Sequence, residues 1–216
     1  HGAPPPVLKN KEIYTVDFTY PLEITKKLMR ENVRLTSIDH HISAKEITKI
    51  TRQYSYALHN SGSVLTWKYF HPGKKTPFLL RYVEDADIWK WNVPRSKEIL
   101  AYIDLFARKF GEWSMIASDL EVSARRREYA GRGKIILRYY NRIVDSFVTE
   151  AELVKFLGRK VYAANVPGQF RSDVGHLLAK KLPPLAILWR VEKGRLRVSL
   201  RSDGSVDVSK IAKRFG

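Results

Sequence analysis

The 216-residue sequence has no cysteine, only two methionines (Met29 and Met115), and no apolar run long enough to cross a bilayer. Without cysteine, disulfide frameworks, thiolate zinc sites and cysteine nucleophiles are excluded together, so any bound metal must sit on oxygen and imidazole. The opening HGAPPPVLKN has no apolar secretory core. A soluble cytoplasmic protein without membrane contact is the expectation, with organellar import left open because a transit peptide would precede His1. The missing initiator methionine, and the end at IAKRFG where a helical pattern meets glycine, predict a longer parent chain. Negative charge is also scarce: 22 Asp and Glu face 39 Lys and Arg, a formal charge of +17. That balance points to a polyanionic partner such as nucleic acid or a nucleotide.

What is present is enough for cores, with 44% hydrophobic and 12% aromatic residues, and the length suits two small domains. EIYTVDF (12–18) reads as a buried strand, PLEITKKLMREN (21–32) as an amphipathic helix begun by Pro21, and VRLTSID (33–39) as a second strand. This β-α-β order predicts parallel neighbours joined by a right-handed crossover. From 44 to 110 the pattern is mostly helical: 44–58 as a helix or helix and turn, 61–70 and 77–83 as two more, and 95–110 as one amphipathic helix. Residues 123–150, beginning with SARRREYAGRGK, predict a long linking helix, weakened by Gly131 and Gly133. Beyond 151 a smaller α+β region follows, with a hairpin turning at EKG between 185–191 and 195–201 and a last helix capped by Asp207 or Ser209.

Asp17 and Asp39 both fall at carboxyl ends of predicted parallel strands, 22 residues apart, where open α/β sheets bind ligands. Asp39 is followed by His40 and His41. Adjacent residues on one strand point to opposite faces, so the pair does not trivially share an ion. With the later acids Asp85 and Asp87, the set offers hard oxygen and imidazole ligands that suit Mn²⁺ or Mg²⁺. Paired ions of that kind clamp a phosphoryl group for attack by water, so phosphoester hydrolysis is the chemistry implied. The rival readings are plain: Asp17 as a helix cap, Asp85 and Asp87 as surface acids, Trp89 and Trp91 as core or as a base-stacking surface. His59, His71 and His176 read as loop or surface residues.

TVDF, IDHH and VEDADIW, in that order, resemble motifs of the DHH phosphoesterase family, and VSLRS with VDVSKIAKRFG resembles the DHH-associated domain. The resemblance implies an α/β architecture: a parallel-sheet DHH domain over 1–122, a linker helix over 123–150 and a smaller α+β associated domain over 151–216, with the active site between the domains. It implies two Mn²⁺ or Mg²⁺ ions, Asp17 bridging both, His40 binding one, and Asp85 as the last ligand of that ion with Asp87 as the alternative. Asp39 would support His40 and His41 would face the phosphate or leaving group, giving these two the catalytic roles. Arg201, with Ser199 and Ser202 near it, would grip the substrate's phosphate. Substrates would be short single-stranded oligonucleotides, nucleotide phosphates or cyclic dinucleotides; a homodimer is compatible with the family. An Asp-rich strand before Asp17 and a GGGH segment after Phe215 are absent from the sequence and are expected beyond its ends. The rival function is a nucleic-acid-binding module without catalysis.

Overall fold

The computed structural model describes residues 4–215. The chain is mixed α/β, and it divides into two compact units, one through Ile136 and one from Leu137.

The first unit begins β1 (Glu12–Val16), α1 (Leu22–Glu31), β2 (Arg34–Asp39), α2 (Lys45–Lys49) and β3 (Gln53–Tyr56). The three strands form a parallel sheet in the order β1-β2-β3. Pro21 starts α1, with φ preset near its value of −50°, and Asn32 ends it by donating from its side chain to the Leu28 carbonyl at 3.0 Å. Five consecutive residues of the central strand β2, Leu35 to Asp39, are buried, as expected for a parallel strand covered on both faces. The predicted β-α-β unit is therefore present, in the parallel sense.

Two helical expectations need correction. The stretch 44–58 is only five helical residues in α2, and then β3. Thr51 closes the helix, its hydroxyl 2.8 Å from both the Thr48 and Gln53 carbonyl oxygens, and the following Gln53–Tyr56 finds a ladder partner on β2. Pairing with a sheet overrode the helical reading, a tertiary effect that local pattern does not carry. The expected helix 95–110 also stops early. After α3 (Gly62–Phe70) and α4 (Phe78–Asp87), α5 (Ser96–Ile103) ends and α6 (Phe110–Glu121) starts a new direction, leaving Leu105 64% exposed in the connection.

The long helix is continuous as α7 (Ser123–Thr149). Gly133, which argued against it, is there because α7 passes against α5: a Cβ at 133 would lie 1.8 Å from the Glu98 carbonyl oxygen. Leu79, Tyr82, Ile99, Ile103, Ile116, Leu120, Tyr129 and Ala130, from α4 to α7, form the buried core of this helical part.

The second unit continues α7 into β4 (Glu152–Phe156), β5 (Arg159–Asn165), α8 (Arg171–Lys181), β6 (Leu185–Glu192), β7 (Arg195–Ser202) and α9 (Val208–Ala212). Its sheet runs β4-β5-β6-β7; β5 and β6 are parallel across α8, and the other pairs are antiparallel. The predicted hairpin turns on Lys193 and Gly194, both at positive φ, the backbone that a two-residue β-turn of this twist requires. Asp207 is the cap of α9, accepting from the Ser209 N–H at 3.0 Å. Val144, Val166, Val174, Leu178 and Leu188 lie in its core. Among the described residues, no helix is long and apolar enough to cross a membrane.

Candidate metal centre

The carboxyl ends of β1 and β2 carry the cluster. Asp17 follows β1 directly, its N–H bonded to the Ile38 carbonyl at 2.8 Å and its backbone at φ 63°, the left-handed region. That turn lifts the carboxylate off the strand onto the first turn of α3. A Cβ at Gly62 would meet Asp17 Oδ1 at 2.3 Å, so only glycine lets the acid lie there. The Ser61 cap, accepting from the Val64 N–H at 3.2 Å, fixes this helix start, whose partial positive charge favours an anion.

His40 Nε2 lies 3.2 Å from Asp17 Oδ1 and 3.4 Å from Asp87 Oδ2, on a side chain only 10% exposed. It makes no hydrogen bond of acceptable geometry, although the atom itself is buried. A buried imidazole nitrogen facing two carboxylate oxygens without bonding either has the arrangement of a ligand. Ligand atoms of Asp17, His40 and His41 all lie within 4.8 Å of one another. The alternation objection to paired histidines fails because β2 ends at Asp39 and the chain then bends into a short 3-10 turn over Ile42–Ala44; the two rings sit 4.5 Å apart.

The bend is made by Asp39. Its Oδ1 accepts from the His40 N–H at 2.6 Å, the His41 N–H at 2.8 Å and His41 Nδ1 at 2.8 Å, while Oδ2 is buried without a partner. The side chain expected to orient His40 therefore acts on the ring of His41, and on His40 only through its backbone. A carboxylate at Nδ1 fixes that ring's proton there and leaves Nε2 as the acceptor nitrogen of a half-exposed side chain. Tyr56 of β3 braces the same segment, its hydroxyl donating to the His41 carbonyl at 3.2 Å.

Asp85, the expected last ligand, does not join the cluster. It is 3% exposed; Oδ1 accepts from the Asn92 N–H at 2.7 Å and Oδ2 from the Val93 N–H at 3.1 Å. Its carbonyl also accepts from the Lys90 and Trp91 N–H groups. Both oxygens are committed to winding the loop after α4, in which Trp89 and Trp91 take positive φ. Asp87 is the acid that reaches His40. Burial pushes its carboxyl above the ordinary value; His40 opposes this and the Asp17 carboxylate reinforces it, a setting in which a cation is favourable.

The second-unit residues separate by strand alternation. Ser199 pairs with Leu188 and Arg201 with Ala186, on the sheet face packed by α8, whereas Ser202 pairs with Leu185 on the other face. Arg201 crosses Gly175, donates to Ser172 Oγ at 3.2 Å and to the Leu200 carbonyl at 3.0 Å. Burial pulls its pKa down and Arg171 adds to that, while both oxygens that Arg201 donates to are neutral. Ser199 lines a small hollow with Arg171 and Arg197. Ser202 instead accepts from the Gly204 N–H at 3.0 Å and shapes the turn after β7.

Gly62 and Glu84 were not found from the sequence. Glu84 Oε2 accepts from Asn60 Nδ2 at 3.1 Å and the Ser61 N–H at 2.9 Å, tying α4 to the helix start under Asp17. The SGS of residues 61–63, a cap followed by glycine, was the available signal.

The described geometry defines a mixed α/β protein with an acid and imidazole cluster at a sheet's carboxyl rim. No family model matches the chain. It is 28% identical over 220 residues to an uncharacterized protein of Acanthamoeba polyphaga mimivirus; the match takes in 97% of this chain, which spans about half (51%) of that relative's length. A crystal structure of an uncharacterized protein from Helicobacter pylori aligns over 94% of this chain and 72% of its own, at 17% identity and a TM-score of 0.40.

Proposed function

We propose that the protein is a metal-dependent phosphoesterase of the DHH type, acting on nucleotide phosphoesters. The carrying observation is the buried, hydrogen-bond-free Nε2 of His40 between Asp17 and Asp87. The residues fit a hard divalent ion: oxygen and imidazole donors, a cradle that a Cβ at Gly62 would fill, and an orphan buried nitrogen. Asp17, His40 and Asp87 would hold it, with the two-ion arrangement of the family as the fuller form. Bound there, Mn²⁺ or Mg²⁺ would polarise a phosphoryl oxygen and make water a better nucleophile.

The chain's own groups do the rest. Asp39 holds the proton on His41 Nδ1, so Nε2 of this half-exposed ring can accept a hydrogen bond from water or, once protonated, give a proton to a leaving oxygen. Arg201 with Arg171, neither ion-paired with an acid among the described residues, is the anion grip of the second unit, and Ser199 shares the face of Arg201. The +17 charge draws in anionic substrates.

The test is Mn²⁺ titration calorimetry together with hydrolysis of di- to pentanucleotides, bisphosphonucleotides and cyclic dinucleotides. His40→Ala should weaken Mn²⁺ binding by about 100-fold and remove Mn²⁺-dependent turnover, with the fold intact by circular dichroism. Mn²⁺ affinity unchanged by His40→Ala sinks the reading.

A further inference from the structure

The amino ends of the same three strands hold a second feature. A cavity of about 750 Å³ is lined by Glu12, Lys26, Arg30, Arg34 and Arg52, with Met29 and Leu35 among its apolar wall. Four cations face one carboxylate. Glu12 is already engaged, accepting from Arg34 Nη2 at 2.7 Å, and Arg34 also donates to the Tyr14 hydroxyl at 2.9 Å. Arg34 Nε is nevertheless buried with no hydrogen-bond partner. Lys26 has a loose pair with Glu23 at 3.3 Å, and Arg30 and Arg52 are exposed. Like charges converging on a hollow are stabilised by an anion, and an arginine fork matches phosphate oxygens.

We propose that this cavity is a binding site for a nucleoside polyphosphate, distinct from the metal centre. Arg30, Arg52 and Lys26 take the phosphates, and Met29 with the exposed Val33 beside it takes the base. The volume suits one nucleotide. Glu12, Arg34 and Gln53 open their parallel strands, whereas Asp17 and His40 follow the other ends, so strands of five or six residues keep the two sites roughly 15–20 Å apart. A single nucleotide cannot touch both. The site is therefore a place for an effector or a second substrate, and it stands whether or not the metal centre hydrolyses anything.

Binding of ATP is measured by calorimetry in EDTA, which silences any divalent-metal site, alongside pyrophosphate and a short oligothymidylate. The wild-type chain should bind ATP. The Arg30→Glu, Arg52→Glu double variant should weaken it at least about tenfold, while His40→Ala leaves it unchanged. Both arginines are exposed, and the Arg30→Gln, Arg52→Gln pair repeats the test with a milder change. Absent ATP binding, or binding unaffected by both double variants or lost in His40→Ala, overturns the proposal. Pyrophosphate binding as tightly as ATP overturns the base wall, and binding of the oligothymidylate alone overturns the nucleotide in favour of a strand.

Discussion

Asp85 and Asp87 sit two positions apart and perform opposite tasks. The order TVDF, IDHH, VEDADIW located the region, but its phase on α4 decides which acid faces the cluster. Asp85 shares a three-residue spacing with buried Leu79 and Tyr82, so it falls on the core stripe; Asp87 does not. That spacing was legible in the sequence, although resemblance alone favoured Asp85. Replacing Asp85 with Ala strands two backbone N–H groups and should cost about 2–4 kcal/mol in a denaturant melt. Asp87→Ala should leave the melt within about 1 kcal/mol and weaken Mn²⁺ binding by roughly 10- to 100-fold by titration. The reverse pattern would restore Asp85 as the ligand. The roles of Asp39 and His41 were not legible beyond their types, because the pairing of Asp39 with His41 arises from a bend that begins only where the ladder stops.

At the scale of elements, α1, β1, β2, the β6–β7 hairpin and α9 followed from periodicity and turn chemistry. What failed was β3, determined by its pairing with β2, and the break after α5, where the chain closes with short-range bonds from Leu105 to Tyr102 and from Phe106 to Ile103. Glycines in α7 make the same point in measurable form. Gly131 has nothing within 4 Å of its would-be Cβ, so Gly131→Ala should raise stability by about 0.5–1 kcal/mol through helix propensity. Gly133→Ala gains the same propensity but drives a methyl into the Glu98 carbonyl, and α5 and α7 must separate. A net loss of about 1–3 kcal/mol in urea unfolding is expected. Equal effects of the two substitutions would show that α7 does not approach α5 this closely.

For the whole molecule, the surplus of 39 cations over 22 acids makes the remaining carboxylates important for acid stability. Asp119 accepts from Arg125 at 2.7 Å and from the buried Tyr129 hydroxyl at 2.8 Å, and these bonds hold its carboxyl below the usual range. Tyr129 is pushed the other way, up to about 12, by burial first and by the same bond. A depressed carboxyl in the folded state means that the unfolded chain takes up protons first as pH falls. The stability from Asp119 is full above the ordinary carboxylate pKa and is lost as pH drops through its depressed value. The urea midpoint should therefore fall below about pH 4, and Asp119→Asn should flatten that limb while lowering the neutral plateau. A limb unchanged in the variant would place the acid sensitivity elsewhere. Composition made the charge surplus obvious, but not this pairing, which depends on α6 and α7 meeting.

The left-handed backbone at Asp17 has an evolutionary consequence. Trp89, Trp91, Arg95, Leu157 and Lys193 also take positive φ in this chain, but glycine, asparagine and aspartate do so at the least steric cost, and of these only aspartate carries a charge. Glutamate would keep the charge but lengthen the reach over Gly62 and resist the turn. Position 17 thus has almost no neutral neighbours in sequence space: drift to asparagine would preserve the fold and remove the carboxylate in a single step.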